Sequence, residues 1–417
     1  MHQGRLGLVV VAMVAAAAAA ACAGAGTGAG VPASSPVVVR PGIEVLLADS
    51  AHLVRGRRVG FVANQGSIDA HGQHGVDRLQ AAGVELGALF SPEHGFRGSA
   101  APGEAIAHAT DSATGLPIYS LYGRTTSPTD SMLRGLDLLL IDLPDVGARY
   151  YTYVSTTVEV MRAAAARGLP VFVLDRPNPI GGAVQGNVLE PVHRSFVGML
   201  AVPMRHGLTL GELARLANSE LGLGAALTVV PAAGWHRRDY LDRTGLPFVP
   251  PSPNLRSLEA LIHYPGTCLF EATPLSVGRG TDAAFAQLGA PWLDTTAVLA
   301  TLRAARLPGV TFEGRAFTPR APGDGKFADT LVAGIRLRAT DRAVYDPTAT
   351  AIHLLTAIRA RHPDRWTLRV AHFDRLAGTS RLRLDLEAGL PPGSIVQGWV
   401  AVRAEWERRT QSIRLSY

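Results

Sequence analysis

The chain has 417 residues, of which 47% are hydrophobic and 18% are charged, and its 45 glycines and 28 prolines are scattered rather than periodic. This composition excludes an intrinsically disordered protein and a collagen-like fibre, and the length favours two domains or one large α/β domain. The net charge is +6, but the basic residues are arginines except for Lys326 and form no cluster typical of a nucleic-acid-binding arm, so we expect no nucleic-acid partner.

The first forty residues predict export. Arg5 precedes an apolar run over 8–21, and small residues follow, which is the order of regions in an export signal. Three alanines precede Cys22, as at the cleavage site of bacterial lipoproteins; ordinary cleavage beside an incidental cysteine is the alternative. We predict a signal peptide over 1–22, a flexible linker over 23–40, and membrane contact only through a possible lipid on Cys22.

Four apolar, β-branched runs follow the linker, over 59–63, 84–90, 136–141 and 170–174. Helix-like stretches follow two of them, near 74–82 and through 161–166. Strands that are hydrophobic throughout and alternate with helices predict a parallel sheet covered on both faces, and ligands of such sheets bind beyond the carboxyl ends of the strands. All four runs carry polar residues at that end, which predicts one crevice lined by Asn64, Glu93, His94, Asp142, Asp145, Arg149, Asp175, Arg176 and Asn178.

The second half of the chain begins beyond a proline-rich stretch over 247–253, which is typical of a domain junction. We place the boundary near residue 262, with one domain over 41–262 and another over 263–417. Within the second domain, 332–338 alternates like a half-exposed strand, and 349–360 and 399–413 are predicted helices. Cys268, the one cysteine outside the leader, is expected to be a buried small hydrophobe.

Glu93 and His94 lie on a loop bounded by Pro and Gly after a strand, where partial desolvation would favour a protonated carboxyl suited to general-acid catalysis. The alternative is a structural ion pair between Glu93 and Arg97. Asp142 and Asp145 precede three tyrosines, a combination that suits a sugar; the alternative is that one aspartate caps a helix and the tyrosines are core.

Residues 278–283 match G-x-G-x-x-A without a clear preceding strand, so we interpret them as a helix N-terminus that binds an anion with the help of Arg279 rather than as a dinucleotide site. A metal-dependent hydrolase built on His94 and His206 is a minor alternative. We predict neither a resident metal nor another cofactor.

The sequence resembles the bacterial exo-β-N-acetylmuramidase family (NamZ-type, formerly a domain of unknown function). The resemblance begins with Ser-Pro-Glu-His-Gly-Phe-Arg-Gly at 91–98 and Asp-Leu-Pro-Asp at 142–145 and covers the chain from about residue 43 to its end. Further matching segments lie at 146–153, 174–182, 194–198, 205–209, 250–254, 264–268, 278–281 and 373–379.

The resemblance implies an α/β fold with a Rossmann-like parallel-sheet domain at the N-terminus and a smaller α/β (α+β) domain at the C-terminus that completes a cleft. It also implies release of N-acetylmuramic acid from the non-reducing ends of peptidoglycan-derived muropeptides or disaccharides, with Glu93 in a catalytic role. The alternative is a non-catalytic, peptidoglycan-binding envelope lipoprotein.

From these observations we predict Glu93 as the general acid, with His94 beside it and either Asp145 or Glu271 as the second catalytic group. One arginine should bind the lactyl carboxylate that distinguishes muramic acid from glucosamine, with Arg279, Arg176 and Arg149 as candidates and a loop-shaping ion pair as the alternative for each. The predicted substrate-binding residues are Asn64, Arg149, Tyr151, Asp175, Arg176, Asn178, His206, Arg279 and Thr281.

Overall fold

The computed structural model describes residues 39–97, 104 and 107–417, so the predicted signal peptide and nearly all of the predicted linker lie outside the described residues. Val39 and Arg40 belong to the fold, because the N–H of Val39 donates to the Thr244 carbonyl and Arg40 exchanges two backbone hydrogen bonds with Ala233. The predicted linker therefore extends two residues too far.

A seven-stranded sheet lies at the centre of the N-terminal half. Every pair of neighbouring strands is parallel except the pair at one edge, which is antiparallel. Its spatial order is β3 (Ala109–Thr110), β4 (Pro117–Ser120), β2 (Glu85–Ser91), β1 (Arg58–Ala63), β5 (Leu138–Asp142), β6 (Val171–Leu174) and β9 (Leu227–Val230). The four predicted strands are β1, β2, β5 and β6, and the predicted parallel sheet is confirmed.

Helices cover both faces of this sheet, which explains why its strands are apolar throughout. Alternate strand residues such as Phe61 pack with α1 (Gly42–Asp49) and α2 (Gly75–Ala81) on one face. Intervening residues such as Val62 belong to the core on the other face, with α3 (Tyr153–Ala165) and α4 (Leu210–Glu220). The chain moves from β1 to β2 on one side and later to β5 on the other, so the switch point of this Rossmann-like sheet lies between β1 and β5.

The C-terminal half is smaller and is built on a three-stranded antiparallel sheet in the order β10 (Gln287–Ala290), β12 (Ala333–Ala339), β11 (Val310–Gly314). A separate hairpin consists of β7 (Gln185–Val188) and β8 (Pro203–Arg205). The remaining helices are α5 (Leu258–Thr267), α6 (Thr295–Ala305), α7 (Pro347–Arg361), α8 (Val370–Ala377), α9 (Arg381–Glu387), α10 (Pro392–Gln397) and α11 (Val400–Thr410).

In this half the predicted strand, the two predicted helices and the burial of Cys268 are confirmed, and one predicted motif is wrong. The strand over 332–338 is β12, the two predicted helices are α7 and α11, and Cys268 is buried. The predicted boundary at 262 falls inside α5, which packs against α7 and β12. Residues 278–283 form turns that lead into β10, so the predicted anion-binding helix N-terminus is wrong.

Within the described residues, no helix is both long enough and apolar enough to cross a membrane.

Candidate active site

Glu93 and His94 occupy a tight turn directly after β2. The N–H of Gly95 donates to the Pro92 carbonyl at 3.1 Å and closes the turn. His94 adopts a φ of 71°, a left-handed conformation that costs a non-glycine residue on the order of 1 kcal/mol or more and is found preferentially at functional sites. The left-handed residue thus lies directly after Glu93 in the turn that carries it.

Polar groups from two other segments hold Glu93. The Thr152 hydroxyl donates to Glu93 Oε2 at 2.7 Å, and the Tyr153 hydroxyl donates to the Glu93 carbonyl at 3.1 Å. Tyr122 lies beside the carboxylate, and burial, followed by the Glu93 charge, raises the pKa of Tyr122 to about 12. Arg97, the alternative ion-pair partner, donates to Asp111 at 2.8 Å. Glu93 is therefore a nearly buried carboxyl group held in one orientation.

The tyrosines after Asp145 connect Glu93 to the proline-rich segment. Tyr151 donates to the Pro251 carbonyl at 2.6 Å, and the Tyr153 hydroxyl, which donates to Glu93, lies 3.4 Å from the same carbonyl. Both rings are buried, and burial raises the pKa of both hydroxyls. The tyrosines are thus core residues, as the alternative interpretation predicted, and Tyr151 offers no open face for a sugar.

Two cavities flank this region, and their sizes differ by more than tenfold. One of about 60 Å³ lies at the switch point between β1 and β5, where Asp145 and Arg176 face Phe248 and other residues of the proline-rich segment. The other is a polar cleft of about 920 Å³ between the proline-rich segment and the C-terminal sheet. Ligand pockets usually measure roughly 300–1,000 Å³, so only the second can hold a sugar unit.

The lining of the large cleft includes Thr281, which is one of the predicted substrate-binding residues, together with Asn254 and Glu104. One of its walls depends on a close approach between two backbones: a Cβ on Gly280, whose φ is +77°, would lie 2.3 Å from the Arg320 carbonyl oxygen. The glycine-rich motif therefore shapes the cleft wall. The residues that line the cleft do not include Glu93, Asp145 or Glu271, although Pro253 in its rim is two residues from Pro251.

The polar residues predicted to line a crevice do converge at the carboxyl ends of the strands, but they bond mainly to one another. Asn64 donates to Tyr153 at 2.8 Å, and Asn178 donates to the Leu208 carbonyl at 2.9 Å. Arg176 forms a two-pronged ion pair with Asp142, with 2.9 Å from Nη2 to Oδ2, and also donates to the Ile68 carbonyl. The predicted open crevice is therefore a closed hydrogen-bond network.

Asp145 and His206 form a buried pair, with 3.2 Å between Asp145 Oδ2 and His206 Nε2. The Leu208 N–H donates to His206 Nδ1 at 3.2 Å and fixes the orientation of the ring, whereas Nε2 makes no hydrogen bond among the described residues. Asp145 also accepts from the Gly147 N–H at 2.7 Å and does not cap α3. Among the described residues, no group of three or more His, Cys, Asp and Glu side chains is placed to hold a metal ion, so His94 and His206 belong to no such group.

Arg149 occupies a structural position rather than a substrate site. Its guanidinium is buried and donates to four backbone carbonyls, two in the hairpin region and two at the end of α8. The acceptors are Asn187, Val202, Leu376 and Ala377, at 2.8 to 3.0 Å. Arg149 thus ties the N-terminal half to the C-terminal half and is a poor candidate for the lactyl carboxylate.

Glu271 and Arg279 bind each other. Arg279 Nε donates to Glu271 Oε1 at 2.8 Å, and the guanidinium lies over the Phe285 ring at 5.2 Å from its centroid. Lys326 anchors the same loop, because its ammonium donates to the backbone carbonyls of Glu271, Thr273 and Leu275 at 2.8 to 3.0 Å. The loop-shaping ion pair therefore applies to Arg279, with Glu271 as its partner.

Asp175 lies apart from Glu93, at the start of α4. Its carboxylate accepts from the Thr209 hydroxyl at 2.6 Å, the Gly211 N–H at 2.8 Å and the Tyr417 hydroxyl at 2.6 Å. Burial outweighs these bonds and raises the pKa of Asp175 to about 6, from an ordinary value of 3.8. These hydrogen bonds give Asp175 a structural role, because they join it to the start of α4 and to the C-terminal residue.

This shift predicts a pH-dependent stability. Because the folded-state pKa lies above the unfolded one, the folded protein keeps a proton that the unfolded chain has lost, and the stability contributed by Asp175 falls as pH rises from 3.8 to about 6. Asp175→Asn should remove this loss, which amounts to about 2–3 kcal/mol. Urea unfolding of both proteins at pH 4, 5 and 6 measures the free energy of unfolding of each. If the difference in this free energy between wild type and variant does not change with pH, the raised pKa of Asp175 is contradicted.

Several residues of this region carried no recognised signal in the sequence. Tyr122 contacts Glu93 but is 29 residues away along the chain, so only the fold brings them together. Arg315 and Gln287 line the large cleft from the C-terminal sheet without belonging to any motif. Thr152 and Asn254, by contrast, lie in matching segments and could have been proposed for the site.

Comparisons of the sequence and of the structure with known proteins agree with one another. Sequence profiles described as exo-beta-N-acetylmuramidase NamZ, N-terminal and C-terminal, match residues 59–259 and 262–415. The peptidoglycan beta-N-acetylmuramidase NamZ of Bacillus subtilis is 41% identical over 364 residues, which cover 87% of each chain.

Two crystal structures of DUF1343 family proteins from Bacteroides fragilis are similar in fold. One has a TM-score of 0.85 and 32% identity, covering 92% of this chain and 100% of its own. The other has a TM-score of 0.72 and 31% identity, covering 90% of this chain and 98% of its own.

Proposed function

The chain belongs to the exo-beta-N-acetylmuramidase NamZ family, and we propose that it is an exo-acting glycosidase that releases N-acetylmuramic acid from the non-reducing ends of peptidoglycan fragments. The observation that carries the proposal is the Glu93 turn, in which Thr152 and Tyr153 hold a nearly buried carboxyl. The Tyr153 hydroxyl also lies 3.4 Å from the Pro251 carbonyl, two residues before Pro253 in the rim of the polar cleft of about 920 Å³. Peptidoglycan-derived muropeptides or disaccharides are the proposed substrates.

In this mechanism Glu93 protonates the glycosidic oxygen as the bond from that oxygen to the anomeric carbon breaks, and water supplies the new hydroxyl of the released sugar. The hydrogen bond from the Thr152 hydroxyl to Oε2 orients the carboxyl for this proton transfer. Asp145 and Glu271 stay as the predicted candidates for the second catalytic group. Asp145 accepts a hydrogen bond from a backbone N–H and Glu271 is paired with Arg279, so each would act from a preset position.

Release of chromophore from an N-acetylmuramide by the purified mature chain tests the activity. Turnover between pH 5 and 8 is the expected result, and a non-catalytic glycan-binding module would bind the compound without turnover. No release above background across that pH range would contradict the proposal.

We also propose that the protein is exported and that Cys22 carries a lipid, on the basis of the leader composition alone. In the native host, radiolabelled palmitate should be incorporated into the wild type and the protein should sediment with membranes. Cys22→Ala should lose both properties. A variant that keeps the label and the membrane association would show that the anchor lies elsewhere.

A further inference from the structure

The large cleft is rich in arginine. Its lining includes four arginines, against two acidic residues, Glu104 and Asp282. The arginines are Arg256, Arg315, Arg320 and Arg336. A concave polar surface with an excess of guanidinium groups favours an anionic ligand.

Ion pairs distinguish Arg315 from the other three arginines. Arg336 lies 2.5 Å from Glu259, and Arg320 lies 2.6 Å from Asp329. Arg256 is 3.7 Å from Asp282, and both side chains are largely exposed. Within the part of the chain that the structure describes, the exposed Arg315 guanidinium has neither a hydrogen bond nor an ion pair. Its planar set of donors is therefore available to a carboxylate.

The backbone that carries Arg315 is fixed even though its side chain is free. Arg315 follows β11 directly, and its N–H donates to the Gly334 carbonyl at 2.9 Å. Two residues further on, buried Phe317 exchanges two backbone hydrogen bonds with Val332. A side chain that extends from a rigid sheet edge can bind a ligand without first ordering a loop.

The lining of the same cleft contains one buried acceptor atom that has no hydrogen-bond partner among the described residues, Oε1 of Gln287. Gln287 is 2% exposed, lies opposite Arg336 in the antiparallel register and donates through Nε2 to Thr281 at 2.9 Å. An unused acceptor and a free guanidinium in one cleft suit a ligand that carries both an N–H or O–H donor and a carboxylate.

We propose that Arg315 binds the lactyl carboxylate of N-acetylmuramic acid in the large cleft and so sets the preference for muramic acid over glucosamine. This inference rests on the proposed function and places carboxylate recognition on the C-terminal sheet. Arg149, Arg176 and Arg279, which the sequence suggested for this role, are bonded to backbone carbonyls or carboxylates.

Calorimetric titration tests the inference without any need for turnover. The ligands are N-acetylmuramic acid and its lactyl amide, which has the same shape but no charge. Wild type should bind the acid more tightly than the amide. Arg315→Ala should raise the Kd for the acid about ten- to a hundredfold, leave the Kd for the amide nearly unchanged and abolish the discrimination. Arg315→Lys should recover part of the discrimination between the acid and the amide.

Arg303→Ala is the matched control, because Arg303 is an exposed arginine on α6 that does not line the cleft. It should bind both ligands as the wild type does. The inference is overturned if Arg315→Ala binds the acid as tightly as the wild type or if the wild type does not distinguish the acid from the amide. Chromogenic turnover measured in parallel separates the two proposals: turnover without discrimination overturns only this inference, and discrimination without turnover overturns only the proposed activity.

Discussion

Replacing Glu93 with Gln is expected to lower kcat on an N-acetylmuramide by about a hundredfold or more, since a positioned general acid contributes roughly 10²–10⁴-fold. Gln has nearly the same shape and keeps an oxygen that can accept from the Thr152 hydroxyl, so the turn should survive the substitution. Steady-state kinetics, with circular dichroism to verify the fold, measure the effect.

Glu85→Gln is the matched control for this prediction. Glu85 begins the same strand and forms only an exposed pair with Arg58 at 3.7 Å, so its loss should leave kcat and KM nearly unchanged. Near-normal turnover by Glu93→Gln would show that another group supplies the proton.

Arg149→Met is expected to destabilise the protein by about 3 kcal/mol or more, because it removes the donors of four backbone carbonyls and leaves a buried site that Met cannot satisfy. The free energy of unfolding in urea measures this loss. Because two of these carbonyls lie at the end of α8, the C-terminal half should be destabilised as much as the seven-stranded sheet.

Arg162→Met controls for the loss of an exposed arginine. Its ion pair with Glu159 spans 3.6 Å on the surface of α3, and its removal should change the unfolding free energy by less than about 0.5 kcal/mol. If Arg149→Met unfolded like the wild type and lost only its preference for muramides, Arg149 would be the carboxylate-binding residue after all.

The sheet could be predicted because its signal is local. Residues 59–63 and 170–174 are apolar throughout, as parallel strands between two helical layers must be, and the structure places strands there within two residues. The G-x-G-x-x-A pattern at 278–283 was less informative: glycines with positive φ serve a turn before a strand as well as they serve a helix start, and β10 is only four residues long.

The candidate site was predicted in part, for a different physical reason. Glu93 follows a strand end, so its position could be inferred from the strand. Whether an arginine is free or paired depends on contacts between distant segments: Arg149 bonds to carbonyls 227 and 228 residues away. Nothing in the sequence around Arg315 distinguishes it from the other arginines, because its availability depends on where its neighbours find their partners.

Product analysis on two defined tetrasaccharides tests the central claim most directly, one with N-acetylmuramic acid at the non-reducing end and one with N-acetylglucosamine there. Mass spectrometry should find free N-acetylmuramic acid and a trisaccharide from the first, an intact second substrate, and no product from either with Glu93→Gln. Internal cleavage to disaccharides, or release of N-acetylglucosamine from the second substrate, would contradict an exo-acting muramidase centred on Glu93.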